Sequence, residues 1–71
     1  MKTIGQIFKE KRNEKKLTLE EVERATKIRQ KFLAALESGD YDKLPQATFT
    51  RGFVKNYCEF LSLSTNEMLA L

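Results

Sequence analysis

Apolar residues recur along this chain at intervals of three and four and never in strict alternation, so the pattern predicts helices and no strand. Ile4, Ile7 and Phe8 begin the first stripe, which Lys11 continues; Thr3 opens it and Gln6 three residues on completes a capping box. Thr18 and Glu21 repeat that signal ahead of Leu19, Val22 and Thr26, the inner stripe of a short second helix. Thr26-Lys27-Ile28 then breaks the period without Gly or Pro. Arg29 to Ser38 reads as a third helix with Ile28, Phe32, Ala35 and Leu36 inward. Gly39 sits where a left-handed stop is wanted, because it has no Cβ. Asp40 to Pro45 is a loop, with Pro45 favouring an extended Leu44. The longest helix is expected over 46–62, and Ser64 to Glu67 forms a third capping pattern that opens a last helix over 65–71. The expectation is an all-α domain of five helices occupying residues 1–71, with a helix-turn-helix over 18–38.

Composition narrows what such a domain can do. The chain has 71 residues, 41% hydrophobic and 32% charged, the balance of one small folded unit with a thin core. It contains no His, a single Cys58, and glycines that stand apart at 5, 39 and 52. The usual neutral-pH base, a zinc-type ligand set and a phosphate-cradling loop are therefore all missing. We expect a binding module, with no enzyme activity, no metal and no cofactor. The lone cysteine fits a reducing cytoplasm, and the first residues lack a signal peptide's apolar stretch. A net charge of +3 leaves nucleic acid, an acidic protein or an anionic membrane as partners. That charge is patchy: 9–16 and 27–31 each carry an excess of three positives, and the second helix is acidic. Cys58 and Met68 read as packing residues, and the Lys9 to Lys16 run as a solvated face.

The expected fourth helix is unusual. At 100° per residue, Phe49, Phe53, Tyr57 and Phe60 fall within about 80°, and Thr50, Val54, Cys58 and Leu61 widen the arc to about 180°. An outer helix of a small bundle buries a stripe of little more than about 100°, so either the last helix folds over all four rings and makes them core, or one aromatic edge stays exposed. In the second case Arg51 and Lys55 are expected to lie beside the exposed edge, a hot-spot composition. Gly52 inside the helix costs about 1 kcal/mol relative to Ala; a close approach by another helix or by a partner's backbone would explain it.

The string from Leu17-Thr18-Leu19-Glu20-Glu21-Val22 to Leu36-Glu37-Ser38-Gly39 resembles, without a gap, the helix-turn-helix of the Cro and cI repressors. That resemblance implies a third helix that enters the major groove and reads bases through Lys27, Arg29, Gln30 and Lys31. Several positions depart from the pattern. Leu19 stands where Gln often meets phosphate, Glu23 replaces a small residue, and Lys27 replaces the turn Gly. Glu20, Glu21 and Glu23 would face the DNA backbone against one Arg24, which opposes counterion release.

A more specific resemblance is carried by Thr26-Lys27-Ile28-Arg29, Phe32 to Tyr41, Leu44-Pro45 and Arg51-Gly52-Phe53-Val54-Lys55-Asn56-Tyr57. These segments resemble the cytoplasmic domain of the RodZ family of bacterial cell-shape proteins, over nearly the whole chain. The resemblance implies an adaptor that binds the actin homologue MreB and links its filaments to the membrane. It implies a location at the inner face of the cell membrane, with the membrane reached through a segment beyond this chain. The apolar end Met68-Leu69-Ala70-Leu71, which has no stop signal, fits the front piece of a longer protein. The family's contact surface on the second and fourth helices, carried onto this chain, means Glu20, Glu23, Arg24 and Lys27, with Arg51, Phe53, Lys55, Tyr57 and Phe60. Sequence-specific DNA binding in transcriptional regulation is the alternative.

Overall fold

A computed structural model describes residues 2–69. Among these residues every regular element is helical: α1 (Ile4–Glu14), α2 (Leu19–Thr26), α3 (Gln30–Ser38), a single 3-10 turn (Tyr41–Lys43), α4 (Ala47–Phe60) and α5 (Thr65–Leu69). The all-α expectation holds. The end of the expected last helix, Ala70 and Leu71, lies outside the described residues.

Local chemistry explains where the helices start. Thr3 and Thr18 each accept a hydrogen bond from the backbone N–H three residues on, and Gln6 and Glu21 accept from the Thr backbone in return. Ser64 accepts from the Glu67 N–H at 3.3 Å at the start of α5. The stops were harder to foresee. The α1, α3 and α4 helices end with the residue after the helix in a left-handed conformation, or one step beyond it. An N–H then reaches back five residues: Leu17 to Arg12, Asp40 to Ala35, Leu63 to Cys58. The left-handed residues are Lys16 (φ 56°), Gly39 (φ 80°) and Ser62 (φ 61°), so only one of the three is a glycine.

The core is one cluster to which every helix contributes: Phe8, Val22, Ile28, Leu33, Leu36, Val54, Tyr57, Cys58, Leu61 and Met68. The Phe8 and Tyr57 rings stack with centroids 4.4 Å apart, which clamps α1 to α4. In α3 it is Leu33 that is fully buried, while Phe32, expected inside, is only half-buried. Its ring lies at the rim, where α3 meets α4.

Gly5 allows α1 and α3 to touch. A Cβ there would stand 2.4 Å from the carbonyl oxygens of both Leu36 and Glu37. Below this contact Arg12 forks onto Glu37, with Nε–Oε2 at 2.7 Å and NH2–Oε1 at 2.9 Å, and its NH1 donates to the Leu17 carbonyl at 2.8 Å. The Tyr57 hydroxyl donates to the same carboxylate at 2.5 Å. Arg12 therefore belongs to a largely buried network joining α1, α3 and α4, not to a solvated face. The bond to Glu37 raises the Arg12 pKa against the opposing effect of burial. Burial, and then the neighbouring Glu37, drives the Tyr57 phenol well above its ordinary range.

Candidate functional site

The rim where α4 meets the helix-turn-helix carries the residues that the core leaves uncovered. Val54, Tyr57, Cys58 and Leu61 are buried, so the core lies beneath one side of α4. Phe49, Phe53 and Phe60 sit within about 40° of each other at the far edge of the apolar arc. Phe49 is 58% exposed, and Phe53 and Phe60 are half-buried. The wide arc thus resolves with an aromatic edge left at the surface.

Each half-buried ring has its own neighbour. Phe53 stacks on Phe32 of α3 at 5.4 Å between centroids, and Lys31 Nζ sits 5.1 Å from the Phe32 centroid. This places a cation, two stacked rings and the exposed Phe49 in sequence from the start of α3 to the start of α4. Phe60 instead faces α2, where it shares an open groove with Leu17, Glu21, Arg24 and Ala25. Between the two, Asn56 Nδ2 donates to the Thr26 carbonyl at 3.0 Å and pins α4 against the end of α2.

The turn between α2 and α3 is built by Thr26 and Lys27. Thr26 is buried; its hydroxyl donates to the Val22 carbonyl at 2.8 Å and accepts from the Ile28 N–H at 3.2 Å. Lys27 takes the left-handed conformation at φ 67°, where the repressor pattern has glycine, and its side chain is exposed. Lys27, Arg29, Gln30 and Lys31 are all exposed at the start of α3, and none of the three cations joins an ion pair among the described residues. On α2, Glu20 and Arg24 pair with each other at 3.4 Å on the surface. The Glu21 carboxyl is lowered in pKa by the Thr18 backbone N–H it accepts from. Glu23 is half-buried.

The expected contact set is therefore divided. Phe53 and Phe60 belong to the aromatic rim, and Arg24 shares the groove of Phe60. Glu20 is placed only by its surface pair with Arg24, Lys27 is exposed in the turn, and Glu23 is half-buried. Tyr57 does not belong to an outward surface: it is fully buried, because the arc centres on Tyr57 and Leu61 and its hydroxyl is held by Glu37. Arg51 and Lys55 are exposed but do not lie beside the aromatic edge, since two residues along a helix turn it by about 200°. Phe49, the most exposed ring of the rim, was missing from that set although it stood in the arc. Cys58 is buried, and burial raises its thiol pKa, the state of an inert packing residue. Among the described residues, no group of acidic, His or Cys side chains could hold a metal ion, and no helix is long and apolar enough to cross a membrane.

Comparison with known proteins agrees with this architecture. A family model described as a helix-turn-helix domain matches residues 7–68. The cytoskeleton protein RodZ of Streptococcus pneumoniae is 35% identical over 68 residues, which are 96% of this chain and 25% of that protein. The membrane protein YmfM of Bacillus subtilis is 36% identical over 52 residues, 73% of this chain and 18% of that protein. Among solved structures, one described as bacterial actin MreB assembling in complex with cell shape protein RodZ matches with a TM-score of 0.90 and 36% identity. That match covers 94% of this chain and 82% of the other. The chain thus spans a quarter or less of the length of these two relatives.

Proposed function

This chain belongs to the helix-turn-helix domain family and is a homologue of RodZ, and from that premise we propose that it binds the bacterial actin MreB. The observation that carries the reading is the fold match, at a TM-score of 0.90 and 36% identity, to a structure of MreB in complex with RodZ. In this reading the domain acts by binding and not by catalysis. It links MreB filaments to the membrane through a segment outside these 71 residues, and works at the cytoplasmic face in cell-shape control.

The surface chemistry supports a protein partner over DNA. A repressor's second helix starts against phosphate, yet here that position carries the carboxylates of Glu20 and Glu21. The aromatic rim of Phe49, Phe53 and Phe60, with Lys31 and Arg24 at its borders, has the composition of a protein-binding hot spot. Buried aromatic anchors at such sites are each worth about 2 kcal/mol or more, roughly thirtyfold in affinity. Co-sedimentation with polymerised MreB tests the assignment: the wild-type chain pellets with filaments, and a folded Phe49→Ala/Phe53→Ala variant stays in the supernatant. Equal pelleting of the two would refute the aromatic interface. Failure of the wild type to pellet at all would refute MreB as the partner.

A further inference from the structure

Gly52 lies in the middle of α4, where glycine is unfavourable by about 1 kcal/mol relative to alanine. Nothing among the described residues calls for it. A Cβ built at Gly52 would meet no atom within 4 Å, and its backbone is helical, so neither close packing nor a left-handed conformation excludes a side chain. Gly5 shows the contrast, because there a Cβ would collide with two carbonyl oxygens of α3.

The surroundings of Gly52 say where the reason lies. On a helix its surface neighbours are the residues three and four away, Thr48, Phe49, Lys55 and Asn56, and all four are exposed. Gly52 is thus a bare stretch of backbone at the centre of an open patch. Phe49, the most exposed ring of the domain, borders it on one side, and Asn56, which clasps the α2 terminus, on another. The patch adjoins the aromatic rim at Phe49.

We infer that Gly52 is the point of closest approach of the MreB subunit, where a convex loop of the filament seats its backbone on α4 beside Phe49. The inference rests on the proposed MreB-binding function and adds to it a residue whose side chain must be absent. A methyl group at this point holds the two backbones apart, and a larger side chain fills the seat.

The test compares wild type, Gly52→Ala and Gly52→Leu in thermal melts and in MreB co-sedimentation. Both variants are expected to fold, with the alanine variant melting higher by about 4–8 °C. Binding is expected to fall about tenfold for Gly52→Ala and further for Gly52→Leu, so that stability rises while affinity drops. Unchanged pelleting of both variants alongside a wild type that binds would overturn the seat and leave the proposed function standing. A lower melting temperature for Gly52→Ala would overturn it too, by showing that the glycine serves the fold. A wild type that does not bind MreB removes both readings together.

Discussion

Replacing Gly5 by alanine sets a gain in helix propensity against a steric clash, and the structure decides the winner. In a free helix the change would stabilise by about 1 kcal/mol. Here the new methyl would stand 2.4 Å from the oxygens of Leu36 and Glu37 and 2.8 Å from the Glu37 carbonyl carbon. An ordinary carbon–oxygen contact is about 3.3–3.6 Å, so α1 must retreat from α3 by about 1 Å. Neither obstacle is a flexible side chain that can swing aside. Phe8 and Arg12 lie on the same stripe as Gly5, so the retreat would also loosen the Phe8–Tyr57 stack and stretch the fork from Arg12 to Glu37. Overpacking of this kind costs about 1–3 kcal/mol, and disturbing a buried ion pair adds to that. We expect a net loss of about 2 kcal/mol, which in a domain of this size lowers the melting temperature by about 10–15 °C. Thermal and urea melts followed by circular dichroism measure it, with the urea slope checking that unfolding stays two-state. A Gly5→Ala variant that melts at or above wild type would show that α1 and α3 are not in backbone contact.

Three further outcomes follow from the same geometry. Glu37→Gln leaves the Arg12 guanidinium largely buried without its counter-charge, and should cost about 3 kcal/mol in urea denaturation; a loss below about 1 kcal/mol would place the pair in solvent. Lys27→Gly relieves the left-handed strain and should stabilise by about 1 kcal/mol, read as a higher urea midpoint, while weakening MreB pelleting if the lysine contacts the partner. Folding raises the pKa of Tyr57, so the stability this shift contributes is complete below pH 10 and is lost as the pH rises further. Tyr57→Phe removes that part of the alkaline loss, which parallel pH-dependent melts of the two proteins would register as a shallower slope.

How far the chain could be read from its letters depended on what each feature needs. Helix starts were legible at Thr3 and Thr18, because a capping box is written in residues three apart. Helix stops were legible only at Gly39; Lys16, Lys27 and Ser62 reach the same left-handed geometry without glycine, held there by backbone bonds and packing. The width of the apolar arc on α4 left open whether some rings would be uncovered, and a wheel cannot say on which side the core lies. That is settled by Phe8, which arrives from α1 and takes Tyr57 as its stacking partner. The two informative glycines illustrate the same limit, since Gly5 and Gly52 look alike in sequence and differ only in what stands opposite. The Arg12–Glu37 pair was invisible because its members are 25 residues apart, and Arg12 was masked by the lysines around it.

The electrostatics of the rim add an argument about what it can hold. On one side the start of α2 carries Glu20, Glu21 and Glu23 against Arg24; on the other, the turn and the start of α3 carry Lys27, Arg29 and Lys31. The stacked rings of Phe32 and Phe53 run between α3 and α4, and the groove of Phe60 opens onto α2. A phosphate backbone is uniformly negative, so any pose that engages the basic half brings the carboxylates against like charge. A protein surface has no such constraint, because it can set basic groups against α2 and acidic groups against α3. Opposed charges of this kind fix the orientation of a partner more than they raise its affinity, and the desolvated aromatic rings supply the affinity. The two modes separate in a salt titration. A duplex held by three cations loses affinity as log[salt] rises, with a slope near about −2.7. MreB docked over both halves owes its affinity chiefly to the desolvated rings and releases no condensed counterions, so its binding should weaken much less over the same range.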